Sequence, residues 1–135
     1  MKPLSFIIFI TSLTLFTVGN GCAGKAPSSS PPPLPDRDPT LAYRLFQEGA
    51  LLIDVRSPAE YEASHLEGSR LIPISELQSH LDEVVKLQGG DKNKPIVVHC
   101  QAGVRAGQAK EILMNAGFTQ VTNLGNMNDW PGKKK

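Results

Sequence analysis

The chain contains 135 residues, with 14 Lys and Arg against 13 Asp and Glu and a formal net charge of +1. This near-balance, with no basic stripe along the sequence, argues against a nucleic-acid partner. There is no internal repeat, and the length that remains behind the N-terminal segments suits a single domain of about 100 residues with one core.

The first 21 residues predict a signal peptide. Lys2 supplies a short positive region, and the stretch from Leu4 to Val18 is mostly apolar. At about 15 residues this stretch is shorter than the roughly 20 residues that span a membrane, so it is typical of a secretory leader. We therefore expect a protein of the periplasm or the cell envelope.

Cys22 leaves two processing routes open. In the first route Cys22 is the lipidated N-terminal residue of a bacterial lipoprotein and attaches the protein to a membrane, although Gly19 and Asn20 depart from the lipoprotein pattern. In the second route ordinary cleavage after position 23 or 24 releases a soluble protein. Ser and Pro are frequent in residues 22–36, which predicts a tether ahead of a domain at residues 37–135.

The predicted domain begins with a helix and a buried strand. A helix is expected over residues 39–47, with Asp38 as its N-cap and Pro39 in its first turn. Residues 51–55 form an apolar run broken only by Asp54, which is typical of a central parallel strand covered on both faces. This start indicates a sheet with helices packed against it.

The remaining elements alternate between helix and strand. Ser57 and Glu60 form a capping box that starts a short helix ending near Ser64. Such alternation predicts an α/β domain with a parallel sheet, in which functional loops lie at the carboxyl ends of the strands. The later predicted elements are a strand at 70–72, a helix at 75–88, a strand at 96–99, a helix at 106–115 and a strand at 120–123.

Cys100 follows the strand at residues 96–99 and precedes a helix. Backbone N–H groups of a tight loop and of a helix N-terminus converge there, and such a nest favours an anion such as a thiolate. Gly103 permits the unusual backbone angles that this convergence needs, and Arg105 adds a permanent positive charge. Many cysteines at the end of a core strand only pack, but a packing cysteine needs neither of these neighbours. The pattern therefore indicates a nucleophile.

The motif Cys100-x-x-Gly103-x-Arg105 resembles the active-site loop of single-domain rhodaneses, a family of sulfurtransferases. Further blocks at residues 52–73 and 123–130 resemble the family in the same order and spacing. The run at residues 107–113, with the signal-like N-terminus, is most similar to the periplasmic phage-shock-protein E type. The resemblance implies a rhodanese-like α/β domain whose central five-stranded parallel sheet is flanked by helices.

The resemblance also implies a reaction and its residues. The Cys100 thiolate attacks the outer sulfur of thiosulfate or a similar small sulfur-containing anion, becomes a persulfide, and passes that sulfur to an acceptor such as cyanide or a thiol. No metal or organic cofactor is needed. Asp54 and Arg56 are supporting residues that hold neighbouring loops near the site. The substrate-binding loop consists of Gln101, Ala102, Gly103, Val104 and Arg105.

Several individual roles stay open or are assigned to structure. Arg105 either binds the anionic group of the donor or braces the loop, and the sequence does not choose between these roles. Glu60 is explained by its capping box. His99 precedes Cys100 on a strand, where successive side chains point to opposite faces, so we do not assign it as a general base.

Two features at the C-terminal end depart from the family's pattern. Asn126 stands in place of a second glycine, and we expect it to adopt a left-handed conformation, which Asn tolerates. The chain stops soon after Trp130, so the family's final helical segment is short or missing. We expect the tail at residues 133–135 to be solvated.

Three other hypotheses remain. The protein could be a persulfide carrier that delivers sulfur to a protein partner and turns over small donors poorly. It could be a non-catalytic interaction module, although the intact Cys100 loop argues against that. A phosphatase or arsenate reductase would use five residues between Cys and Arg, whereas only Gln101 to Val104 intervene here, which suits a sulfur atom better than a tetrahedral phosphate.

Overall fold

The computed structural model of this chain describes residues 30–135. The predicted signal peptide, Cys22 and the first part of the predicted tether lie outside the described residues. Within residues 30–135, no helix is both long and apolar enough to cross a membrane. The elements in chain order are α1 (Pro39–Gln47), β1 (Leu51–Asp54), α2 (Pro58–Ala63), β2 (Arg70–Leu71), α3 (Ile74–Leu77), α4 (Leu81–Leu87), β3 (Ile96–His99), α5 (Val104–Asn115), β4 (Val121–Asn123) and a 3-10 turn (Met127–Asp129).

The strands form one parallel sheet in the spatial order β2-β1-β3-β4. This confirms the predicted α/β class with a parallel sheet flanked by helices. The register pairs Asp54, the last residue of β1, with His99, the last residue of β3. The loops that follow these two strands therefore begin side by side at the carboxyl edge of the sheet.

The two faces of the sheet enter different cores. Ile53 and Val98 pack with buried residues of α3, α4 and α5 on one face, whereas Leu52 and Val97 pack with α1 and the C-terminal turn on the other. Successive side chains of a strand point to opposite faces, so a strand covered on both faces is apolar throughout. Cys100 belongs to the first core, beneath α5.

The described residues contain four strands, where the resemblance implied five. The position beside the edge strand β4 is taken by residues 31–37, which make isolated contacts rather than a ladder. The hydroxyl of Thr122 donates to the carbonyl of Pro35 at 2.6 Å, and the backbone N–H of Arg37 donates to the carbonyl of Asn123 at 2.8 Å. Proline has no N–H to donate, so this proline-rich segment lies along the edge without continuing the sheet.

The predicted single helix over residues 75–88 is wrong, because α3 and α4 are separate helices with a break at residues 78–80. At the break the hydroxyl of Ser79 donates to the carbonyl of Glu76 at 2.8 Å, and the imidazole of His80 contacts the same carbonyl at 2.9 Å. Side chains that bond to nearby backbone groups compete with the helical hydrogen bonds. The apolar pattern spans both helices since both pack on the same core.

The other predicted elements are confirmed to within two residues at each end. Asp38 caps α1, since its carboxylate accepts the N–H of Leu41 at 2.9 Å. The capping box of α2 is also present: the hydroxyl of Ser57 accepts the N–H of Glu60 at 3.3 Å, and the Glu60 carboxylate accepts the N–H of Ser57 at 2.9 Å.

The tail at residues 133–135 is not simply solvated, as the sequence suggested. His65 and Lys135 exchange two backbone hydrogen bonds of 2.8 Å each, and the N–H of Glu67 donates to the carbonyl of Lys133 at 3.0 Å. The tail therefore pairs with the loop that follows α2. The three lysine side chains of the tail are exposed, so their polar pattern did not predict that the backbone pairs.

Candidate active site

The predicted site residues within the described part of the chain lie at one edge of the sheet. Cys100 immediately follows β3, and only 2% of its surface is exposed. The backbone N–H of Gly103 donates to its sulfur at 3.1 Å, from the residue that caps the N-terminus of α5. One N–H of the predicted nest is therefore aimed at the sulfur, and the positive end of a 12-residue helix lies behind it.

The turn after β4 is hydrogen-bonded to the Cys100 loop. The amide of Asn123 donates to the carbonyl of Gly103 at 2.9 Å and accepts the N–H of Gly125 at 2.9 Å. The N–H of Met127 donates to the carbonyl of Gln101 at 3.1 Å. No role was predicted for Asn123 from the sequence, although a polar residue at the end of a predicted parallel strand was a usable signal.

The expected left-handed conformation of Asn126 is wrong. Asn126 has φ −80° and ψ 123°, which is extended backbone, and its side chain accepts the N–H of Asn128 at 2.9 Å. Gly125 carries the positive φ, at +87°. Asn126 is therefore tolerated because its side chain starts the 3-10 turn.

Gly103 is held in a conformation and a space that only glycine fits. Its φ is +98°, and a Cβ atom there would lie 3.0 Å from the Cα of Gly125. The left-handed backbone costs a non-glycine residue about 1–2 kcal/mol, and the contact with backbone would displace the loop.

We expect Gly103→Ala to slow the uptake of sulfur from thiosulfate by at least about tenfold, because the displaced loop loses the N–H that faces Cys100. The measurement is the rate of sulfur gain by intact mass. Gly49→Ala is the matched control: its φ is +101°, but nothing lies within 4 Å of the added Cβ. Equal loss of rate in both variants would contradict this account of the loop.

Arg105 is bound to a carboxylate rather than free. Its two terminal nitrogens donate to the two carboxylate oxygens of Glu60, each at 2.8 Å. Both side chains are about one-third exposed, at 34% for Arg105 and 38% for Glu60. The pair joins the start of α2 to the start of α5, so in this structure Arg105 braces the loop.

The charges of this pair stabilise each other. The Arg105 guanidinium and the N–H of Ser57 hold the pKa of the Glu60 carboxyl well below its usual range. The hydrogen bonds to Glu60 raise the pKa of Arg105, with a smaller contribution from the nearby Cys100 thiol. Only the capping role of Glu60 could be predicted from the sequence, because Arg105 is 45 residues away in the chain.

Asp54 and Arg56 form a buried ion pair at the end of β1. The guanidinium of Arg56 donates to the two carboxylate oxygens of Asp54 at 3.0 Å and 2.7 Å, and one of its nitrogens also donates to the carbonyl of Ser64 at 2.7 Å. The pair thus ties β1 to the end of α2. The resemblance implied that this pair holds neighbouring loops, and the contact that the structure gives it beyond the pair is with the C-cap of α2.

His99 is fully buried between two acceptors. Its Nδ1 lies 3.4 Å from the carbonyl oxygen of Cys100, and its Nε2 lies 3.6 Å from a carboxylate oxygen of Asp54. A neutral imidazole carries one N–H and cannot serve both acceptors, and Nε2 has no hydrogen-bond partner. Burial lowers the pKa of His99 to about 4, against a smaller opposing effect of Asp54.

This buried imidazole predicts a pH dependence of stability. The unfolded state takes up a proton near pH 6.5 and the folded state only near pH 4, so the free energy of unfolding falls as the pH falls between these values. The loss reaches about 3 kcal/mol at 1.36 kcal/mol per pH unit. Urea unfolding at pH 7 and pH 4.5 measures it, and His99→Gln is expected to remove most of this difference. An unchanged difference in His99→Gln would contradict the assignment.

The residues predicted to bind substrate differ in exposure. Among residues 30–135, no group of three His, Cys, Asp or Glu side chains is placed to hold a metal ion. Val104 is a large apolar side chain that is 71% exposed beside the buried Cys100. Of the loop residues, Gln101, Ala102 and Val104 are exposed, Arg105 is intermediate and Gly103 is buried.

Known proteins resemble this chain across the whole site. Residues 38–133 match the family model of the rhodanese-like domain. The thiosulfate sulfurtransferase PspE of Escherichia coli strain K12 is 42% identical over 77 residues, which cover 57% of this chain and 70% of that protein. The uncharacterized protein YqhL of Bacillus subtilis strain 168 is 39% identical over 100 residues, covering 71% and 75% of the two chains. A solved structure of a rhodanese with anions from E. coli has 38% identity and a TM-score of 0.58, over 64% of this chain and 98% of that one.

Proposed function

The chain belongs to the rhodanese-like domain family, and on that basis we propose that it is a sulfurtransferase acting through a persulfide on Cys100. The donor is thiosulfate or a similar sulfur-containing anion, and the acceptor is cyanide or a thiol. The observation that carries the proposal is the N–H of Gly103, which faces the Cys100 sulfur at 3.1 Å from the N-terminus of α5.

In the first step the Cys100 thiolate attacks the outer sulfur of thiosulfate. An S–S bond forms to Cys100, the bond between the two sulfurs of thiosulfate breaks, and sulfite leaves with the electron pair. The charge of the reactants equals that of the products, and no proton moves. The step therefore needs no general base, which fits the position of His99 against the Cys100 carbonyl instead of the sulfur.

In the second step the acceptor attacks the outer sulfur of the persulfide, and the Cys100 thiolate leaves. The same N–H of Gly103, with the start of α5, stabilises the negative sulfur in both steps. Gln101 and Ala102 are exposed and supply the loop backbone that faces the donor. Asp54 and Arg56 support the site indirectly, because their ion pair joins the end of β1 to the end of α2.

The test is the intact mass of the purified, reduced protein before and after thiosulfate. We expect a gain of one sulfur atom that cyanide removes. No gain on folded protein would overturn uptake from small donors. In that case the second candidate, a persulfide carrier loaded by a protein partner, would remain.

One observation favours the carrier. Cys100 is almost fully buried, and Val104, four residues later at the start of α5, is an apolar side chain that is 71% exposed, so it offers a protein partner one apolar contact near the loop. The carrier would be supported if Cys100 gains one sulfur atom quickly but the steady-state transfer of sulfur to cyanide is slow. Turnover to cyanide as fast as uptake would support the enzyme.

We also propose export to the periplasm or cell envelope, from the leader-like residues 1–21 and from Cys22. Both processing routes remain in the proposal, with lipidated Cys22 as the membrane attachment in one of them. Metabolic labelling with a fatty acid distinguishes them: label on the wild type but not on Cys22→Ser supports the lipoprotein, and no label on the wild type overturns it.

A further inference from the structure

Two arginines near the Cys100 loop, Arg105 and Arg56, each have a carboxylate partner. Arg105 donates to both oxygens of Glu60 at 2.8 Å. Arg56 donates to Asp54 at 2.7 Å, and both of these side chains are buried. The two ion pairs are therefore neutral as units, although each contains an arginine.

The charge that an incoming donor meets follows from these pairs. Because both arginines are paired with carboxylates, neither offers an unpaired positive charge to an anion that approaches the Cys100 sulfur, which faces the N–H of Gly103 and the start of α5. His99 contributes no charge at neutral pH, since burial lowers its pKa to about 4. A dianion is repelled by this arrangement more strongly than a monoanion of the same shape.

Of the two carboxylates in these pairs, Glu60 is the one that can change the charge an incoming anion meets at the Cys100 loop. Asp54 is fully buried and is needed to pair Arg56, whereas Glu60 is 38% exposed at the mouth of the loop. Arg105 donates to both carboxylate oxygens of Glu60, and a smaller effect of Cys100 also raises the pKa of Arg105. The carboxylate of Glu60 therefore neutralises the Arg105 guanidinium, which would otherwise be available to bind an anionic donor.

We propose that Glu60 is a specificity-determining residue that disfavours dianionic sulfur donors relative to donors of lower charge, such as thiosulfonates and persulfides of small thiols. This inference rests on the proposed persulfide chemistry of Cys100. It assigns Glu60 a role beyond capping α2 and bracing the loop.

The test compares thiosulfate with methanethiosulfonate, in which a methyl group replaces one oxygen and the charge falls from −2 to −1. Both donate the same outer sulfur to the Cys100 thiolate, releasing sulfite or methanesulfinate with balanced charge. Glu60→Gln keeps the size of the side chain and its acceptor oxygen but removes its charge. The readout is the second-order rate constant of sulfur uptake with each donor.

We expect Glu60→Gln to raise the ratio of the thiosulfate rate constant to the methanethiosulfonate rate constant about fivefold, because the dianion carries one more charge. The increase is expected to shrink at high salt, since the pair is partly exposed. Glu62→Gln is the matched control: it removes the same charge from an exposed position on the same helix and is expected to leave the ratio unchanged.

The possible failures are distinguishable. If Glu60→Gln changes both rate constants by the same factor, Glu60 is only structural and the inference is overturned while the proposed function stands. If the wild type gains sulfur from neither donor, both the proposed function and this inference are contradicted. Should Glu60→Gln not fold, Glu60→Ala is measured in its place: it also removes the carboxylate, and the ratio must then rise above that of the wild type.

Discussion

Cys100→Ser is expected to abolish sulfur uptake, with a loss of at least about a thousandfold in the rate of transfer from thiosulfate to cyanide. A serine hydroxyl is a far weaker nucleophile and forms no persulfide. The N–H of Gly103 and the start of α5 remain in this variant, but there is no thiolate or persulfide for them to stabilise. Intact mass and the production of thiocyanate measure the two steps.

The control for this loss is the other cysteine of the chain, because the sequence contains two. Cys22→Ser is expected to take up sulfur at the same rate as the wild type. Cys100→Ser is expected to have a free energy of unfolding within about 1 kcal/mol of the wild type, measured by urea unfolding. Sulfur gain that survives in Cys100→Ser but disappears in Cys22→Ser would contradict the assignment of the nucleophile.

Local sequence signals predicted the elements that carry this site. The apolar runs before Asp54 and Cys100 predicted β1 and β3, since strands buried on both faces leave no polar alternation. The caps of α1 and α2 were also predicted, because each depends on residues within three positions of one another. The location of Cys100 at the carboxyl edge followed from the alternation of strands and helices.

Contacts between distant parts of the chain could not be predicted in this way. The pairing of Glu60 with Arg105 depends on β1 and β3 being neighbours, which brings the loops after them together. The Asn123 amide reaches Gly103 only once β4 lies beside β3. Local periodicity contains no information on such pairs, so the sequence predicted Cys100 as the nucleophile but did not predict the pairing of Glu60 with Arg105.

Removing Asp54 is expected to be the most destabilising single change near the site. Asp54→Ala leaves the Arg56 guanidinium buried without a charged partner, and such broken pairs cost about 3–5 kcal/mol. This is a large fraction of the roughly 5–15 kcal/mol that stabilises a typical domain. Urea unfolding at pH 7 measures the change in the free energy of unfolding.

Two variants separate this burial effect from a general loss of ion pairs. Glu67→Ala breaks the exposed pair with Lys135, whose atoms are 3.3 Å apart, and is expected to cost at most about 1 kcal/mol. Replacing both partners, with Asp54→Leu and Arg56→Met, is expected to recover much of the stability, because no buried charge then lacks a partner. If Asp54→Ala costs no more than Glu67→Ala, Arg56 has found water or another acceptor. Its hold on the Ser64 carbonyl would then be independent of Asp54.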